Sequence, residues 1–114
     1  MSEATVYLLE RGDVLLARLP LRSAEPFAIH CDFQPTGAFT PYRALFDEEA
    51  TLTEQLVHDL DPALLTRAEA LLERILALGL TVRPEQGGPP VRVLLGIEGD
   101  VASFRPLSPE EDFL

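Results

Sequence analysis

The chain has no lysine and no tryptophan, a single cysteine, and two histidines among its 114 residues. All nine basic residues are therefore arginines. Without lysine there is no Schiff-base nucleophile, no ammonium to cradle a phosphate and no lysine general base. Cys31, being alone, cannot form an intrachain disulfide. One unpaired thiol suits a reducing, cytoplasmic setting. No apolar run reaches the roughly 18 residues of a membrane-spanning helix. No basic segment precedes the first apolar stretch, so no secretory leader is expected. Positive charge is scarce: nine arginines against nineteen acids leave a net charge of −10. A nucleic-acid backbone needs a basic footprint and an anionic membrane surface needs clustered cations, so neither is an expected partner.

What is present is a normal apolar content, 46%, with the charge concentrated locally. That combination predicts a folded single domain, here residues 1–107, followed by an acidic tail at 108–114. Residues 47–61 carry six acids (Asp47, Glu48, Glu49, Glu54, Asp59, Asp61) and no arginine. The tail adds Glu110, Glu111 and Asp112. These two segments hold nine of the ten units of net charge, which predicts one localised acidic face and an acidic terminus.

Residues 4–10 and 14–19 are apolar and rich in strand formers, with Arg11-Gly12-Asp13 as the turn between them. Pro20 is expected to end the second strand. Residues 27–33 alternate, so Phe27, Ile29, Cys31 and Phe33 should face a core while Ala28, His30 and Asp32 face away. A long, aromatic connection over 34–46 follows. A helix is predicted over 47–60, starting at Asp47 or Thr51, with Ala50, Leu52, Leu56, Val57 and Leu60 on its apolar face. Asp61 as cap, Pro62 at the first position and Gly79 after the end predict a second helix over 62–78. Its apolar arc runs from Leu64 to Leu78, with Leu71, Leu72 and Ile75 in it. Residues 80–83 can begin a strand, and 91–97 with 101–105 form a second hairpin around Glu98-Gly99-Asp100. Gly12-Asp13-Val14 and Gly99-Asp100-Val101 repeat the same turn chemistry. The order β-β-β-α-α-β-β predicts an α+β fold: one open antiparallel sheet of about five strands with two helices packed on one face.

The opening Val-Tyr-Leu-Leu-Glu-Arg-Gly-Asp-Val-Leu-Leu-Ala-Arg-Leu resembles the first hairpin of Nudix hydrolases. The Gly-x5-Glu-x7-Arg-Glu-x2-Glu-Glu-x-Gly helix of that family is absent, which removes the magnesium site the resemblance would imply. His58-Asp59 resembles the metal-binding dipeptide of HD phosphohydrolases, but the all-helical scaffold and further ligands of that family are missing. The spacing of His30, Cys31, Asp32 and His58 matches no closed metal site, so no metal or other cofactor is expected.

His30 and Asp32, two apart on one strand face, form an imidazole–carboxylate pair without a nucleophile nearby in sequence. Phe39, Tyr42 and Arg43 can stack on a planar ligand or hold an anion if the 34–46 segment folds over that face, or can plug one end of the core. Two functional expectations follow. The first is a small acidic interaction module, a homodimer or the receptor of a basic protein partner, using a sheet edge or an apolar face. The alternative is a small-ligand protein or minor enzyme, for example for a nucleotide. Its site would lie between strand 27–33 and the 34–46 segment and use His30, Asp32, Phe39, Tyr42 and Arg43. No catalytic residue is assigned from sequence.

Overall fold

Two Gly-Asp turns set the hairpins. The computed structural model describes residues 5–107, so the acidic tail expected at 108–114 lies outside the described residues. Strand β1 (Val6–Arg11) turns through Gly12-Asp13 into β2 (Val14–Ala24), and β6 (Val91–Glu98) turns through Gly99-Asp100 into β7 (Val101–Pro106). Gly12 and Gly99 both have φ of 59°, while among the described residues no non-glycine residue has positive φ. Left-handed backbone at the first central position alone is the pattern of a type II′ turn, which matches the twist of its flanking strands.

The remaining elements are β3 (Ile29–Asp32), β4 (Gln34–Pro35), a 3-10 turn (Gly37–Tyr42), α1 (Arg43–His58), α2 (Pro62–Ala77) and β5 (Leu80–Pro84). The fold is α+β with two helices and an antiparallel sheet, as expected, but the sheet is not open. Neighbours run β1–β5–β6–β7–β3–β2, and β2 pairs back onto β1. Six strands thus close into a barrel, with β4 added against β2. Closure removes the unpaired edges that an open sheet would carry.

Closure depends on β2 running past Pro20 instead of ending there. Residues 14–20 pair with β1, and Leu21, Ser23 and Ala24 pair with β3. The Leu21 N–H donates to Thr5 O at 2.9 Å, on the β1 side. By alternation, the N–H that Pro20 lacks would face the other edge. There the partner changes from β4 to β3, so no ladder bond is lost.

The barrel interior holds Leu9, Leu19, Cys31, Val82, Leu95, Ile97, Ala102 and Phe104. β5 and β6 share only the pairs Thr81–Arg92 and Val82–Val91, so β6 continues beyond the start of β5. The helices lie alongside this stretch, and Phe46 of α1 and Ile75 of α2 join the same buried cluster. Phe33 and Phe39 pack edge-to-face at 4.8 Å, with Phe46 at 5.7 Å from Phe39. The 34–46 connection is therefore mostly helical and serves as an aromatic plug.

That plug explains where α1 begins. The helix starts at Arg43, not at Asp47 or Thr51, because the 3-10 turn runs directly into it. The cap is Thr36, whose hydroxyl accepts from Ala38 N at 3.2 Å. Thr51 lies inside the helix and donates to Asp47 O. In α2 the expected signals operate: Asp61 accepts from Ala63 N at 2.8 Å, Pro62 occupies the first turn, and Gly79 has φ of 68°.

Several apolar positions depart from expectation. Val57 is 77% exposed on the last turn of α1, and Leu60 is 74% exposed because the helix ends at His58 and not at residue 60, leaving Leu60 in the turn to α2. Phe27 is 86% exposed, because β3 begins only at Ile29 and Phe27 sits on the turn before it. Leu71 and Ile75 are buried, whereas Leu72 is 39% exposed.

Candidate functional site

β3 alternates as its sequence requires. Cys31 points into the barrel, and His30 and Asp32 point outward. Sheet register then brings three strands together on the outer face: His30 pairs with Ser103, and Ser103 pairs with Gly96. Above them, α1 places Glu49 so that a β-carbon on Gly96 would meet its Oε2 at 3.9 Å.

His30 Nδ1 lies 2.7 Å from Ser103 Oγ, and its Nε2 lies 3.5 Å from Glu25 Oε2. A carboxylate only accepts hydrogen bonds, so Glu25 favours the tautomer with its proton on Nε2; in that tautomer Nδ1 accepts from the Ser103 hydroxyl. Glu25 stands at the start of the β2–β3 turn, which its N–H closes by donating to Ala28 O at 2.9 Å.

His30 and Ser103 open onto a groove of about 590 Å³ between α1 and the barrel. Glu49, Thr53 and Glu98 supply its other polar side chains, and no arginine lines it. The groove continues through Glu49, Gly96 and Ser103 into a second stretch of about 240 Å³ flanked by Phe27, Leu72 and Leu94. A third stretch of about 220 Å³ shares Glu49 and Leu72 and runs between the helices to Leu65 and Glu69. One face thus combines an apolar floor with carboxylates.

The residues singled out from sequence fall into separate groups. Asp32 pairs with Arg22 of β2, not with His30. Phe39 is buried in the barrel plug, and the Tyr42 hydroxyl accepts from Arg11 Nη1 at 3.0 Å. The Arg43 guanidinium lies over the Phe39 and Phe33 rings, 5.3 and 5.9 Å from their centroids. A ligand between β3 and the 34–46 segment would have to displace this aromatic packing. Of the five residues, only His30 lines the groove. Burial, reinforced by the Asp32 charge, pushes the Cys31 thiol up to about 11, so it is protonated and inert at neutral pH.

Set against known proteins, the chain matches no family model, no curated protein and no solved structure. Among the described residues, no helix is long and apolar enough to cross a membrane, and no metal-ligand cluster of three or more His, Cys, Asp or Glu side chains is gathered. His58 is exposed on the last turn of α1.

Sequence reasoning missed Ser103, Glu25, Glu49 and Gly96. Ser103 falls in the outward phase of β7, as His30 does in β3, and that alternation is legible. The register that sets one opposite the other is not.

Proposed function

We propose that this protein is a binding module for a basic, partly apolar segment of another protein, seated in the groove between the helical hairpin and the barrel. The observation that carries this reading is Phe27. Its ring is 86% exposed beside the half-exposed Leu72; the two grooves it lines carry Glu49 and Glu25 together with Arg105, and the adjoining stretches add Glu98 and Glu69, so acids outnumber the one arginine. Covering a phenylalanine contributes roughly 1.5–3 kcal/mol. Carboxylates around it select a cationic partner and speed its approach, an effect that salt screens.

A second copy of the chain fits this face poorly, since each carries a net charge of −10 and would meet the other's acids. Pairing through a sheet edge also loses its support, because the six strands close on themselves. Charge complementarity therefore favours a basic partner over a homodimer.

Fluorescence anisotropy with a short synthetic leucine–arginine amphipathic peptide tests the reading, with a leucine–glutamate peptide as control. The arginine peptide is expected to bind and to weaken as salt rises, and Phe27→Asp is expected to abolish binding. Equal binding of both peptides, or binding unchanged in Phe27→Asp, overturns it. Light scattering that finds a dimer dissociated by Phe27→Asp assigns the face to a second copy and overturns it as well.

A further inference from the structure

We infer that Ser103 is a nucleophilic hydroxyl that accepts an acyl group from an ester, with His30 as its general base and Glu25 as the positioning residue. Nothing in this inference depends on the partner proposed above. It rests on three side chains brought from β7, β3 and the β2–β3 turn into one line of contacts: Ser103 Oγ to His30 Nδ1 at 2.7 Å, and His30 Nε2 to Glu25 Oε2 at 3.5 Å.

Serine is a weak nucleophile until a base removes its proton, and an imidazole does so when its other nitrogen is held by an acceptor. The first is met by the 2.7 Å contact, and for the second the exposed Glu25 carboxylate stands 3.5 Å from Nε2, within ion-pair reach. Which ring nitrogen faces the serine is secondary, since roles and geometry define such a constellation. The nucleophile also has room beside it: Ser103 and His30 share the wall of the 590 Å³ groove. Its apolar side, with Ala50 and Val101, suits an acyl chain.

In the step, Ser103 Oγ bonds to the acyl carbon and its proton passes to His30 Nδ1. The bond from that carbon to the leaving oxygen breaks, and the departing alkoxide takes the proton from Nδ1. Water, deprotonated by the same imidazole, then hydrolyses the acyl-serine and restores the hydroxyl. Ser103 sits mid-strand with partners on both sides, so neighbouring N–H groups are committed to the ladder and not to an oxyanion. Acceleration therefore rests on the general base, and slow acylation is expected instead of rapid turnover.

The full chain is incubated with 4-nitrophenyl acetate. Nitrophenolate release is followed and the adduct mapped by mass spectrometry. One acetyl group is expected on Ser103. His30→Gln is expected to slow this labelling roughly 100-fold. Glu25→Gln is expected to slow it, with Glu25→Asp recovering most of the rate. Ser103→Ala should abolish it and Ser103→Cys restore it. Acetylation spread over other hydroxyls or retained on His30 overturns the inference, as does Ser103 labelling that His30→Gln leaves unchanged. Mapping on the unmodified chain and on His30→Gln decides the matter even if Ser103→Ala does not fold.

Discussion

The imidazole of His30 and the hydroxyl of Ser103 lie 73 positions apart in the chain and 2.7 Å apart in space. The contact follows from register, because the backbone pairs these residues directly on the outer face of the barrel. A one-residue slip of β7 against β3 would turn Ser103 inward and Phe104 outward. The hydrogen bond is part-buried, and its net contribution should be about 0.5–1.5 kcal/mol. A double-mutant cycle of His30→Ala and Ser103→Ala, read by urea unfolding, should return a coupling of that size. Strict additivity would show that the pair contributes nothing to the fold.

Two neighbours on the apolar arc of α2 differ in consequence. Ile75 is 2% exposed and belongs to the barrel core, whereas Leu72 borders the groove. Ile75→Ala should cost about 2–5 kcal/mol. Leu72→Ala should cost about 1 kcal/mol, since much of its surface is already wet. Denaturation midpoints of the two variants check this, and equal losses would mean that Leu72 is core.

Cys31 should make stability fall in alkaline solution. Its thiol is raised from 9.0 to about 11, mainly by burial, so the native state keeps a proton that the unfolded chain releases. The contribution is complete below pH about 9 and is lost as pH rises through about 11, on the order of 2 kcal/mol in all. Urea unfolding across that range should show a shallower decline for Cys31→Ala than for the unaltered chain. Identical slopes would count against a protonated native thiol.

The boundaries of α2 depend on two local devices. Asp61→Ala removes the carboxylate that accepts from Ala63 N, and should cost about 1 kcal/mol. Gly79→Ala meets no atom within 4 Å, so its cost is the left-handed backbone alone, again about 1 kcal/mol. Thermal denaturation of each single variant, and of the pair, should show losses that add, since the sites lie at opposite ends of the helix.

Some features are legible in the chain because their causes are local. Gly12 and Gly99 mark both hairpin turns, and Asp61, Pro62 and Gly79 mark α2. The alternation of β3 separates Cys31 from His30. The start of α1 was harder to read, because Pro41 inside a 3-10 turn looks like loop punctuation, whereas Phe39 and Phe46 give that segment a core to fold onto. Val57 and Leu60 fit a helical stripe, but periodicity does not say where the helix ends or whether its last turn is covered.

By itself, then, the chain determined its turns, its caps, the phase of its strands and its scarcity of cations, since each depends on residues within a few positions of one another. Only tertiary structure decided that β2 closes onto both β1 and β3, that Phe27 remains in water, and that Ser103 meets His30. Those outcomes require distant segments to choose a partner and a register. That choice is made by the summed burial of a shared core, which no local pattern encodes.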